Sequence, residues 1–241
     1  MAGAQGPTRL FLFGAYEFKD INEPKSLEPS VAQTLGAAYA SLGYDAGYVT
    51  PDDAKELGDA ASAILKERHD NVGTVVSRIV EKEGKRFGLV FMPELPDSGK
   101  GPTEGQMDAV MGEAEKLRPQ VDMVIGLSPW GYQGEVDFLD RAKDKRGLDV
   151  LLGGGHGSGN RGKVMAGGRT LWMRPFPKGK GVSIVRLEKL PGKGDAPLWK
   201  ENENAGFETI ILDEQVPQEP GMEELLKPLR PNGAPDKNHV W

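Results

Sequence analysis

The chain has 241 residues, 38% of them hydrophobic, a formal net charge of −6 and no cysteine. The missing thiols exclude a disulfide framework, a cysteine nucleophile and Cys-ligated zinc. The acidic balance argues against nucleic acid as a partner. No apolar run approaches the ~18–20 residues that span a bilayer, so a soluble globular chain without membrane insertion is expected. The opening Met1-Ala-Gly-Ala lacks a charged and then apolar leader, so no signal peptide is expected.

Short apolar runs predict strands at Arg9–Phe13, Tyr44–Val49, Phe87–Met92, Val121–Leu127 and Leu148–Leu152. Apolar residues spaced three and four apart predict helices between them, over Pro29–Leu42, Asp52–His69, Asn71–Glu83, Thr103–Leu117 and Glu135–Asp144. Strands alternating with amphipathic helices indicate βα units and a largely parallel or mixed sheet. Beyond His156 the pattern changes. Lys163–Met165, Thr170–Met173, Val182–Glu188 and Phe207–Leu212 read as strands joined by Gly, Pro and Lys turns, an antiparallel half. Glu219–Leu229 reads as a final short helix. Residues 1–230 form one domain in this reading, and 231–241 a loose tail.

Several constellations invite a chemical reading. Gly157-Ser-Gly-Asn-Arg-Gly162-Lys163 matches the spacing of a phosphate loop, but Val164 follows the lysine and the next segment reads as strand. In a looser form, glycine amides with Ser158, Asn160 and Arg161 would make an anion-binding nest; a mobile loop is the plainer expectation. Asp52 and Asp53 could hold a cation with Glu17, Asp137 or Asp149, yet Thr50-Pro51-Asp52-Asp53 also fits a capped helix start. Trp130 and Tyr132 follow a strand end and could touch a ligand or pack as a lid. Ser128 and His156 would form a pair only if their loops are neighbours, and no G-x-S-x-G elbow accompanies them. His69 and His239 read as solvated residues.

Two strand ends carry a further pattern: Val121–Leu127 followed by Ser128-Pro129-Trp130-Gly131, and Asp149-Val-Leu-Leu-Gly-Gly-Gly-His156-Gly157. Leu42-Gly-Tyr-Asp-Ala46 precedes them, and Glu208-Thr-Ile-Ile-Leu-Asp213 follows. Their order resembles the catalytic domain of 5′-nucleotidases, within the calcineurin-like metallophosphoesterases, which carry "GYDA" before "GNHE", then "LSH.G" and "D.I.GGH.H". The resemblance implies an α/β fold: a metallophosphoesterase-like α/β/β/α sandwich with mixed sheets, reduced in size. Members clamp the attacking and leaving oxygens between two metal ions about 3.5–4 Å apart. Here Ala15 and Glu17 fall in the slots of the first "D.H" motif, Pro51 and Asp52 in those of "NH", and Pro129 in the next histidine slot. The last pair is blurred to Gly155, His156 and Gly157, and the family's second segment has no room between Phe18 and Glu28.

The resemblance therefore implies a non-catalytic pseudophosphatase domain with no cofactor. It would bind a small anion or a protein partner through Ser128, Trp130, His156, Ser158, Asn160 and Arg161. The alternative is a divalent-metal-dependent phosphoester hydrolase with a rebuilt site of Glu17, Asp52, Asp53 and His156. Relatives are commonly exported, so a periplasmic or extracellular location is expected, with the cytoplasm left open. Nothing in the sequence fixes an oligomeric state.

Overall fold

A computed structural model describes residues 7–19, 26–60, 73–95, 100–143, 145–176, 179–193 and 198–229. His69, His239, the 231–241 tail and the 61–69 part of the second expected helix lie outside them. In chain order the elements are β1 (Leu12–Phe13), α1 (Pro29–Ser41), β2 (Ala46–Gly47), α2 (Pro51–Leu57), β3 (Val76–Lys82), β4 (Lys85–Phe91), α3 (Glu104–Leu117) and β5 (Met123–Ser128). They continue as α4 (Gly131–Arg141), β6 (Val150–Gly153), β7 (Asn160–Met165), β8 (Thr170–Arg174), β9 (Gly181–Leu187), β10 (Ala205–Ile211) and α5 (Pro220–Leu226).

A six-stranded mixed sheet in the order β3-β4-β5-β6-β8-β7 forms the centre. Strands β4, β5, β6 and β8 run parallel, and the outer strands β3 and β7 run antiparallel to their neighbours. The alternation of side chains along a strand sends neighbouring residues to opposite faces. Thus Val90, Val124, Leu151 and Trp172 pack with Met107, Val110, Met111 and Ala114 of α3 and Phe138 and Leu139 of α4. Leu89, Phe91, Ile125, Leu127 and Leu171 point the other way, onto Tyr48, Val185, Leu187, Ala205 and Phe207.

That second face is covered by β structure: the parallel pair β1–β2 and the antiparallel ribbon β9–β10. Beyond β1–β2 lies another helical layer. Leu12 faces the sheet, whereas Phe13 turns to Leu35, Tyr39, Ala54 and Leu57 of α1 and α2. The layers therefore run helix, sheet, sheet, helix, a mixed α/β architecture. Each fully buried Leu or Phe in these clusters contributes ~1.5–3 kcal/mol over an exposed one.

Two expectations are corrected. The helix expected over Asn71–Glu83 is absent among its described residues: Val76–Lys82 is strand β3, paired with β4. Val75 and Ile79 face one core cluster and Val80 the other, a split that a helical stripe would not produce. The β-branched residues favour strand, and Glu83 and Gly84 both adopt positive φ (51° and 73°), as a two-residue type I′ hairpin turn requires. The strands after His156 pair antiparallel with one another, as expected, but they are not all one antiparallel half. β7 and β8 complete the main sheet, with β8 parallel to β6, and only β9–β10 stands apart.

Candidate functional site

Five chain segments meet at one edge of the sheets, where parallel strands leave by their carboxyl ends. They are the turn after β1, the start of α2, the exit of β4, the β5–α4 turn and the glycine run after β6. In open α/β sheets this edge is where ligands bind. A cleft of about 180 Å³ opens there, lined by Tyr16, Lys19, Asp52, Leu95, Pro129, Trp130, Gly131 and His156.

The residues around it are largely committed to one another. Asp53 is fully buried. Its carboxylate accepts from the backbone N–H of Tyr16, Phe18, Lys19 and Thr50 and from the Thr50 hydroxyl, all at 2.9–3.1 Å. With Thr50 it forms a capping box at the head of α2. Burial pushes its pKa up, and the donors oppose that shift. Asp53 therefore fastens the turn after β1 and is withdrawn from the cleft. Glu17 is exposed and accepts instead from the Tyr39 hydroxyl at 3.0 Å, against α1. Of the four residues expected to rebuild a carboxylate-rich site, only Asp52 and His156 line the cleft. Among the described residues no group of three or more His, Asp or Glu is placed to hold a metal ion.

The first turn of α4 sits where an anion would be attracted by the helix dipole. The amides that lead into it are already taken. Trp130 N–H donates to the buried Ser128 hydroxyl at 3.1 Å, Gly131 N–H to the Gly154 carbonyl at 3.0 Å and Tyr132 N–H to the His156 carbonyl at 2.7 Å. The Ser128 hydroxyl thus holds the turn from β5 into α4. Trp130 is buried, with its indole N–H on the Pro93 carbonyl at 2.7 Å. These partners also explain why α4 starts at Gly131, ahead of the expected Glu135.

The glycine run is moulded around one arginine. Arg174, at the end of β8, is 3% exposed. Its guanidinium donates to the carbonyls of Gly154 (3.1 Å), Gly155 (2.9 Å), His156 (3.1 Å) and Ser158 (3.1 Å). It also pairs with Glu135 of α4 at 2.6 Å. Glu135 is fully buried and accepts from the Trp172 indole (2.7 Å) and Gly154 N–H (3.1 Å). Burial pushes its carboxyl pKa up, and Arg174 pulls against that. Carbonyls converge on a cation here, the reverse of an anion nest, in which N–H groups converge. The loop has no slack: a Cβ on Gly153 would strike Glu135 and Arg174, and one on Gly155 would lie 2.6 Å from the Pro129 carbonyl.

What remains for an occupant is a polar wall. The Tyr16 hydroxyl donates to Glu94 at 2.8 Å, and Lys19 pairs with Glu56 at 2.8 Å. Burial raises the pKa of Glu94, with Asp52 and Asp53 adding to the rise and Tyr16 opposing it. Burial and then Glu94 push the Tyr16 hydroxyl up. Asp52 and His156 are exposed. Tyr16 itself holds φ of 62°, a conformation few non-glycine residues adopt.

Ser158 and Asn160 lie at a second, open cleft of about 470 Å³ with Tyr132, Gly157, Gly159 and Lys163. Arg161 is exposed and lines neither cleft. Asp149 is far from both roles. It forms a buried pair with Arg118 at 2.5 Å and accepts from Val124 N–H at 2.7 Å. Sequence reasoning missed Tyr16, Lys19, Glu94 and Arg174, and read Glu135 only as a helix start. The one available signal was Arg174 itself, an arginine closing an apolar strand before Pro175.

No protein-family model matches the chain, and no curated protein does. Among solved structures it is similar to Haemophilus influenzae NAD nucleotidase (NadN), at 11% identity and a TM-score of 0.49. That similarity covers 75% of this chain and 42% of the other, so the chain spans less than half of its neighbour's length.

Proposed function

We propose that this is a non-catalytic binding domain, whose strand-end cleft takes one functional group of a partner: a small anion or a side chain of another protein. The observation that supports this reading is the internal commitment of the groups that chemistry would need. Asp53 spends its carboxylate on the turn after β1. The α4 amides cap on the chain's own carbonyls, and Arg174 gathers the glycine loop. The cleft, at about 180 Å³, is also smaller than the roughly 300–1,000 Å³ of ordinary small-molecule pockets. That size suits a single group better than a nucleotide.

A specific juxtaposition favours the alternative, a phosphoester hydrolase: Asp52 and His156 share the cleft with Tyr16 and Lys19. One assay separates the two. Purified protein is incubated with Mg²⁺, Mn²⁺ or Zn²⁺ and a generic aryl phosphate. The expected result is hydrolysis no faster than the metal alone. Turnover that requires the cation and disappears in Asp52→Ala would establish the hydrolase instead.

A further inference from the structure

We propose that the second cleft, between the start of α4 and the β6–β7 loop, is an oxyanion site built by Asn160, Ser158 and Lys163. It lies on residues other than those of the Tyr16–His156 cleft and does not depend on that reading. Asn160 carries the argument. It is 9% exposed, and its Oδ1 is fixed by Gly162 N–H at 2.9 Å and Arg174 N–H at 3.3 Å. Those two donors settle which end of the amide is oxygen. The Nδ2 group is left buried without an acceptor among the described residues. A buried donor without a partner is costly, and native chains rarely leave one without a reason.

The surroundings supply the rest. The cleft is lined by one cation, Lys163, and by no carboxylate. The Lys163 ammonium lies 5.9 Å from the centre of the Trp172 ring. Trp172 also packs against Tyr132, at 5.1 Å between ring centres, so the aromatic pair forms a firm backing. Ser158 is exposed and adds a hydroxyl. Amide, hydroxyl and ammonium donors without an opposing acid suit a carboxylate or phosphate oxygen, and charge assistance from Lys163 would strengthen the bonds. The carbonyls of this loop are turned onto Arg174, so the side chains, not a backbone nest, make the recognition.

The test is an amide NMR titration of the whole chain with inorganic phosphate in one arm and a short Glu-rich peptide in the other, sodium chloride serving as the ionic-strength control. Saturable shifts at Gly157, Ser158, Gly159 and the Asn160 side-chain amide are expected. Saturation by phosphate alone marks a free-ion site, and saturation by the peptide alone marks a protein's acidic segment. Lys163→Gln, at an exposed position that leaves the core intact, is expected to weaken binding about tenfold. Asn160→Asp, which keeps the Oδ1 acceptor and removes the donor, is expected to abolish it. Absence of saturation in both arms, or shifts indifferent to Lys163→Gln, overturns the proposal.

Discussion

The Glu135–Arg174 pair shows how much a single contact can organise. A buried ion pair gains little over well-packed apolar residues, but removing one partner strands the other charge. Glu135→Leu and Arg174→Met are each therefore expected to lower stability by about 3–5 kcal/mol. The double variant Glu135→Leu/Arg174→Met should recover part of that loss. Urea unfolding of the four proteins measures the coupling; additive losses would show that the pair does not act as a unit. This pair was invisible in the sequence because its members lie on different elements and nothing local connects them. Asp53 was legible, since Thr-Pro-Asp-Asp announces a capped helix and the structure uses it as one. Ser128 and Trp130 were legible only as residues at a strand end. Their inward direction follows from how α4 meets the glycine loop, which is long-range packing.

At the level of elements, the strands leading to the site could be read because each is a short apolar run buried on both faces. The Asn71–Glu83 stretch misled because valines at spacings of three and four satisfy a helical stripe as well as an alternating strand. The Glu83-Gly84 turn decides between them, and Glu-Gly is a weaker hairpin signal than Asn-Gly or Asp-Gly. Gly84 has φ of 73° and nothing within 4 Å of a Cβ built there, so Gly84→Ala meets conformational strain alone. It is expected to destabilise by about 1–2 kcal/mol. Thermal unfolding would check this, and a neutral substitution would mean that the turn does not hold its positive φ in solution.

Across the whole molecule, the outer layer of β1, β2, α1 and α2 has only a two-residue strand pair of its own, so side chains fasten it. Glu56 is one fastener, accepting from Lys19 Nζ (2.8 Å), Leu27 N–H (2.8 Å) and Ser26 Oγ (3.2 Å). Lys19 foremost holds its pKa below the ordinary glutamate value. A depressed acid stabilises the folded state above its unfolded pKa, about 4.3, and that contribution is lost as pH falls through the lower folded value. The melting temperature of the parent chain should therefore drop more steeply below about pH 4.3 than that of Glu56→Gln. Parallel profiles would remove Glu56 from the acid response. The layered architecture itself was legible as a class from alternation alone. The placement of β8 beside β6, which brings Arg174 to the loop, was not.

The glycines of the 153–159 stretch are there because neighbours occupy the space a methyl group would need: the Glu135 carboxylate, the Arg174 stem, the carbonyls of Ser128, Pro129 and Pro175, and Tyr132. Mutational drift is thereby closed off along this stretch for reasons of fit alone. A glycine string held constant among homologues would then record tight backbone crossings rather than a lost reaction.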